Sequence, residues 1–410
     1  MQSAVKRYYN INKIFMSKIG GWPTQSIFIK IFLSTVISTF IFSLAFLEFV
    51  QLTKTWRTIT QDCECLIMLL VVIIGGIKLF TLVLSNKNIK RLLSLIDYHW
   101  RIFTHSLETQ ILHDYAIVGR KMTISYAFVI YILMCFFLLI PVMPLLLNIV
   151  KPLNKSRPYK YLFDIDYGFD REAYYYPILI YTYLTTIMNI SILVIVDTSY
   201  MMFVQHACSL FAAIGHRLEN ITSDLNSEKN NRFVKDVQLT YNQRNLEDCI
   251  QYDNDDEIYH ELVLVLWKHQ ISIEYVCFLD SSFTLYSFTL LFITIIIISF
   301  LGMQILSLLN HKEEMIRYIA MCIGSFLHLF VLNYPGQRIM DHSTDIFQKA
   351  YNMLWYKMSR RSTRLLSILL HRCFVPCTLT AGKIYVLSMA NYASMVQASM
   401  SYFTTFSSLN

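Results

Sequence analysis

Seven stretches dominated by apolar side chains divide the chain: Ile31–Leu47, Leu66–Ser85, Met122–Val150, Ala173–Val196, Ser281–Gln304, Tyr318–Tyr334 and Ile384–Leu409. Each is of the length with which a helix, rising about 1.5 Å per residue, crosses a bilayer core of about 30 Å. The seventh differs from the rest. From Ile384 to Asn410 the chain has 27 residues without a charge, yet Ser388, Asn391, Ser394, Gln397, Ser399, Ser401, Thr404, Thr405, Ser407 and Ser408 place hydroxyls and amides where lipid would favour plain hydrocarbon. Such a helix wants protein or water along one side. A helix buried in a bundle, packed closely through small and hydroxyl residues, and the wall of a water-filled pore both fit that pattern.

Two connections carry patterns of their own. Between Asp197 and Asp280 the chain is long, mixed in charge and rich in helix formers, with apolar clusters such as Leu262 to Leu266. This predicts helices that extend beyond the membrane, with the polar stretch from Ser223 to Asp256 as a flexible loop between them. From Asp345 to His371, Phe347, Tyr351, Leu354, Trp355 and Met358 recur at helical spacing against Lys349, Lys357, Arg360, Arg361 and Arg364. That periodicity predicts one basic amphipathic helix, able to lie on the bilayer surface or to pack against the inner ends of other helices; the second is favoured because the preceding inner segment needs a partner, and Pro376 separates the helix from the last span.

Charge orients the spans. With the N-terminus inside, the inner segments hold 25 Lys and Arg and the outer ones 9, Lys78 falling within the second span and able to snorkel to its inner end. The expected fold is therefore an all-α integral membrane protein with a cytoplasmic N-terminus and an extracellular C-terminus, the reverse of a G-protein-coupled receptor. The chain divides into a cytoplasmic N-terminus (1–30), helices one to four (31–196) with a decorated outer loop (151–172), a cytoplasmic helical extension (197–280), helices five and six (281–334), a cytoplasmic amphipathic helix (335–383) and the last helix (384–410). Asn154-Lys155-Ser156 in the outer loop is a glycosylation acceptor, and Asn220-Ile221-Thr222 falls on the opposite side.

Composition agrees: 55% of residues are hydrophobic and 15% charged, against about 25% charged in soluble proteins, with a mean hydropathy of +0.44. The net charge of +7 is spread through short loops without interleaved aromatics, so lipid, and not nucleic acid, is the expected surroundings. Nine scattered cysteines imply no disulfide framework. No phosphate loop, dinucleotide turn, zinc-protease motif, nucleophile elbow or pair of carboxylates within a span is present, so neither an enzyme nor a metal or other cofactor is expected. Asp197 is expected to find a partner on a neighbouring helix, and His206, His269 and His328 to be structural.

Several short series then resemble a known family: Trp267-Lys268-His269-Gln270, the Gly336-Gln337 turn, Ala350 to Trp355, Pro376, Leu379-Thr380-Ala381-Gly382-Lys383, Ser388 and Ser401-Tyr402-Phe403-Thr404. In order and spacing this is similar to the insect odorant receptors. The resemblance implies an odour-tuning subunit of a ligand-gated, non-selective cation channel, a heterotetramer with the common odorant co-receptor in the plasma membrane of olfactory sensory neuron dendrites. It implies that the segments at 197–280 and 335–383 form the anchor between subunits, and that the last helix lines the pore through Ala398, Tyr402, Thr405 and Leu409. Thr405 departs from the family's apolar gate. For a volatile ligand the resemblance implies a pocket among Met68, Leu69, Val72, Phe136, Phe137, Ile140, Met143, Tyr183, Ile187, Met188, Met321 and Gly324, apolar and adaptable. A G-protein-coupled type of receptor and a gustatory-type channel independent of the co-receptor remain as alternatives.

Overall fold

The computed structural model describes all residues except 1–8, 56–58, 151–156, 237–243, 310–311 and 409–410. In chain order its helices are α1 (Asn10–Lys18), α2 (Ile27–Thr55), α3 (Ile59–Leu84), α4 (Asn86–Ile102), α5 (Ser106–Leu138), α6 (Val142–Val150), α7 (Tyr175–Asp236), α8 (Arg244–Ser307), α9 (Lys312–Tyr351), α10 (Arg360–Cys373) and α11 (Met389–Ser408). Six of these contain stretches long and apolar enough to cross a membrane: Ile27–Lys54, Cys63–Leu84, Ser106–Leu138, Tyr175–Ile221, Asp256–Ser307 and Glu314–Tyr351. The last, α11, has 20 residues and thus the length of a crossing, about 30 Å. Its serines and threonines lower its apolarity, as the sequence anticipates.

Alternating chain direction gives the bundle two unlike ends. At the loop end lie α6 and residues 157–174, tied down by Lys54 to Asp166 at 2.8 Å and by Arg317, which donates to the Leu162 carbonyl at 3.2 Å and meets Glu64 at 2.9 Å. At the helical end lie α1, α4, α10 and the extensions of α7 to α9. These long helices run through much of what the sequence reads as a flexible loop: α7 continues to Asp236 and α8 begins at Arg244. An uninterrupted helix satisfies its backbone internally, and at the membrane surface this outweighs a polar composition.

Other expectations are corrected. The third apolar run is two helices, α5 and α6, separated at residues 139–141; Pro141, lacking a backbone N–H, stands just before the second. The single amphipathic helix expected over 345–371 is the end of α9, a 3-10 turn (Trp355–Lys357) and α10, which opens on Ser359 capping the Ser362 N–H. Two short amphipathic helices, α1 and α4, were not anticipated; in α4 the buried Ile89, Leu92, Leu93, Ile96 and His99 recur at helical spacing. Gly336 makes no turn: it lies inside α9 beside Pro335, where a Cβ would stand 2.2 Å from the Leu387 carbonyl.

The other motifs also acquire geometry. Thr380–Ala381 and Tyr385–Val386 pair as strands β1 and β2 of a small hairpin, turned by Gly382 and Lys383, both at positive φ. Asp280 of α8 accepts from the Thr380 N–H at 2.6 Å, and Gln337 of α9 accepts the Met389 N–H at 3.1 Å, capping α11. Lys268 is buried against Glu108 at 2.7 Å, beneath the Phe103 ring.

Candidate functional site

A cavity of about 1020 Å³ lies among α2, α3, α5, α7, α8 and α9, and is closed toward the loop end by α6 and residues 157–163. Its size is at the upper end of small-molecule sites, roughly 300–1,000 Å³. The break between α5 and α6 helps make this room, because the chain turns away at Pro141 where a continuous helix would have filled it. On α9 the lining residues Arg317, Met321, Gly324, Ser325 and His328 follow helical spacing, one stripe of one helix. Gly324 leaves open space: an added Cβ would meet only Leu133, at 3.8 Å.

Eight of the twelve residues named for the pocket line this cavity: Met68, Val72, Phe136, Phe137, Ile140, Met143, Met321 and Gly324. Four do not. Leu69 is buried on another face of α3, about 100° around the helix from Met68. Ile187 is 40% exposed on the outside of α7, and Met188 packs into the core. Tyr183, singled out for its hydroxyl, donates it to the Leu138 carbonyl at the end of α5. That carbonyl has no helical partner, so the tyrosine caps a helix end and does not face the cavity.

The polar lining residues were not foreseen. At the loop end stand Arg157, Lys160 and Arg317; deeper in are Thr186, Asn189, Thr294, Ser325 and His328. Spacing along α9 from Met321 and Gly324 carried the signal for Ser325 and His328. No local signal existed for Arg157, Lys160 or Thr294, which reach the site from other segments.

The floor is a buried charged network. Lys78, fully buried and not snorkelling, donates to Asp197 Oδ1, and Tyr126 donates to Asp197 Oδ2 at 2.8 Å. Lys78 Nζ also lies 2.9 Å from His328 Nε2. An ammonium only donates, so Nε2 accepts and the imidazole hydrogen sits on Nδ1, 3.2 Å from Thr294 Oγ1. Asp197 thus has the partners expected of it, on α3 and α5, and His328 joins them from α9. Among the described residues no group of three or more His, Cys, Asp or Glu is placed to hold a metal.

Of the residues named for the pore, Thr405 is exposed and Ala398 half-buried on α11. The Tyr402 side chain, Leu409 and the acceptor Asn154 lie outside the described residues.

The 7tm odorant receptor family model matches residues 58–400. Among curated proteins the chain is similar to odorant receptor 9a of Drosophila melanogaster, 22% identical over 60% of this chain and 55% of that protein. It is also similar to the odorant receptor coreceptor of Ooceraea biroi, 27% identical over 21% of this chain and 19% of the coreceptor. The matched region thus spans about half the length of the first relative and less of the second. Its fold is similar to that of the insect olfactory receptor OR5 from Machilis hrabei, solved in complex with eugenol: TM-score 0.75, 14% identity, covering 99% of this chain and 98% of that one. The same receptor without eugenol gives a TM-score of 0.72. The arrangement is a seven-helix all-α membrane fold with α11 as the seventh crossing, and the chain belongs to the 7tm odorant receptor family, a family of receptors and not of enzymes.

Proposed function

We propose that this chain is an odour-tuning subunit of a ligand-gated, non-selective cation channel, assembled as a tetramer with the odorant co-receptor in the plasma membrane of olfactory sensory neuron dendrites. The observation that carries this reading is the large apolar cavity among six of the spanning helices, whose lining includes methionines and phenylalanines from α3, α5 and α9. A volatile apolar molecule gains by leaving water for such walls, and methionines let them adapt to its shape. The ligand acts by binding the open arrangement more tightly than the closed one. Moving the population from about 1% to about 99% open takes about 5.5 kcal/mol of differential binding, shared over several subunits or many contacts.

The N-terminus faces the cytosol and the C-terminus the outside, in keeping with the basic bias of the segments on the N-terminal side. The last helix lines the pore through Ala398, Tyr402, Thr405 and Leu409, its hydroxyls meeting water. The helical end serves as the anchor between subunits.

Recording current from cells that express this chain with the co-receptor, across a panel of volatiles, tests the reading. Gly324→Phe fills cavity space that glycine leaves open, and should abolish ligand-evoked current while surface labelling persists. Current equal to that of the unaltered chain for every active volatile would overturn the pocket assignment. Current from this chain alone would favour a channel independent of the co-receptor.

A further inference from the structure

The cavity treats its two ends differently, and this concerns which molecules it selects; the inference rests on the pocket assignment above. Deep in the cavity every hydroxyl hydrogen on the lining is already used. Thr186 donates to the Thr182 carbonyl at 2.7 Å, Thr294 to the Leu290 carbonyl at 2.7 Å, and Ser325 to the Met321 carbonyl at 3.0 Å. The His328 hydrogen goes to Thr294 Oγ1. These groups keep lone pairs but have no hydrogen to give. Of the deep lining only the Asn189 amide, one hydrogen of which goes to the Val71 carbonyl at 3.2 Å, has a second hydrogen, so an acceptor oxygen placed there would lose its water for at most one neutral hydrogen bond.

At the loop end the lining is cationic, with Arg157 giving one of its hydrogens to Asn148 Oδ1 at 3.0 Å. Arg157, Lys160 and Arg317 line the cavity, and all three are donors without an acceptor atom in their side chains. No Asp or Glu is among the described lining residues; Glu64, paired with Arg317, stands behind it. Arg317 is held by Glu64, by the Leu162 carbonyl at 3.2 Å and by the Phe137 ring at 5.3 Å from its centroid, so the guanidinium is fixed before a ligand arrives. Its Nε is buried and has no acceptor. From Arg317 to His328 the helix rises about 16 Å, and a decane-length chain lies within that span.

We infer that the cavity selects straight-chain molecules headed by an acceptor oxygen, a neutral carbonyl or a carboxylate, bound with the oxygen at the cationic loop end among Arg157, Lys160 and Arg317 and the hydrocarbon tail toward His328. An oxygen accepting from a cation gains a charge-assisted hydrogen bond, about twice as strong as a neutral one. A hydrocarbon tail asks nothing of a floor whose hydroxyl and imidazole hydrogens are already used.

The test is competition of decane, decanal and decanoate against a fluorescent apolar probe on the purified full-length chain in lipid nanodiscs. Decanal is expected to bind about tenfold more tightly than decane, one charge-assisted hydrogen bond being of that order. Decanoate exceeding decanal identifies the anion as the preferred head, and the reverse identifies the neutral carbonyl; either supports the inference. Arg157→Met with Lys160→Met, on a surface segment, should shrink the preference of decanal over decane without altering decane. Arg317→Lys, which keeps the charge that meets Glu64, should shrink it further. Ser325→Ala should leave the preference of decanal over decane unchanged, since that hydroxyl has no hydrogen to offer. Equal binding of decane and decanal by the native chain would overturn the inference and leave the pocket assignment standing. A loss of decanal binding on Ser325→Ala with none in the loop-end variants would reverse the orientation and overturn it as well. Failure of all three compounds to displace a probe that Gly324→Phe does displace would overturn the inference alone. Displacement of the probe by neither the compounds nor that variant would overturn both.

Discussion

Lys78 and Asp197 are each almost wholly buried within the membrane-spanning part of the bundle and satisfy one another, with Tyr126 and His328 completing the set. Removing two charges from water is expensive, and only such complete pairing offsets it. Breaking the pair leaves an uncompensated charge. Lys78→Met is expected to lower stability by about 3–5 kcal/mol, and Lys78→Met with Asp197→Leu to recover part of it, read as melting temperature in detergent. At the helical end, the His99 ring stacks on His206 at 5.4 Å, edge-on to Tyr275, and burial pushes its pKa down to about 4. The unfolded chain, with an ordinary value near 6.5, binds the proton more readily. The stability held by neutral His99 is therefore complete above about pH 6.5 and is lost as pH falls toward about 4. His99→Gln should flatten that part of the melting profile.

Among the elements, α11 is held less by its own sequence than by what grips its start. Gly336 lets α9 approach the Leu387 carbonyl, and Gln337 caps the helix through the Met389 N–H. A methyl group at 336 cannot fit at 2.2 Å without moving one backbone from the other. Gly336→Ala is expected to change the gating of the proposed channel, seen as altered basal or evoked current, whereas Gly168→Ala, with nothing within 4 Å, should not act through any contact. The hairpin hung from Asp280 belongs to the same clamp. Asp280→Asn keeps the shape and removes the charge that receives the Thr380 N–H and hydroxyl, and should destabilise this junction by about 1–2 kcal/mol in a melting experiment.

For the whole molecule, the two ends differ in what they expose. The helical end exposes large aromatic side chains, with Tyr351 and Tyr356 at 61% and 66%, beside the basic residues of α10. The loop end closes the cavity. The proposed orientation predicts that a tag before Met1 is reached only after permeabilisation and that one after Asn410 is reached on intact cells. Labelling in the opposite sense would place the loop end in the cytosol and remove the route by which a volatile enters from outside.

The spans, the basic bias and the unusual polarity of the last helix are local properties, carried by hydropathy over some twenty consecutive residues, so the sequence alone determined them. Of the eight named residues that line the cavity, all but Ile140, which sits in the break between α5 and α6, lie on helices, where neighbours three or four positions apart share a face. It failed where the outcome depended on partners distant in the chain: Tyr183 turned to a carbonyl freed by the end of α5, Lys78 found Asp197 across 119 positions, and Arg157 and Arg317 came to line one cavity. A polar group in an apolar interior goes wherever its hydrogen bond can be made, and that place exists only once the helices have packed.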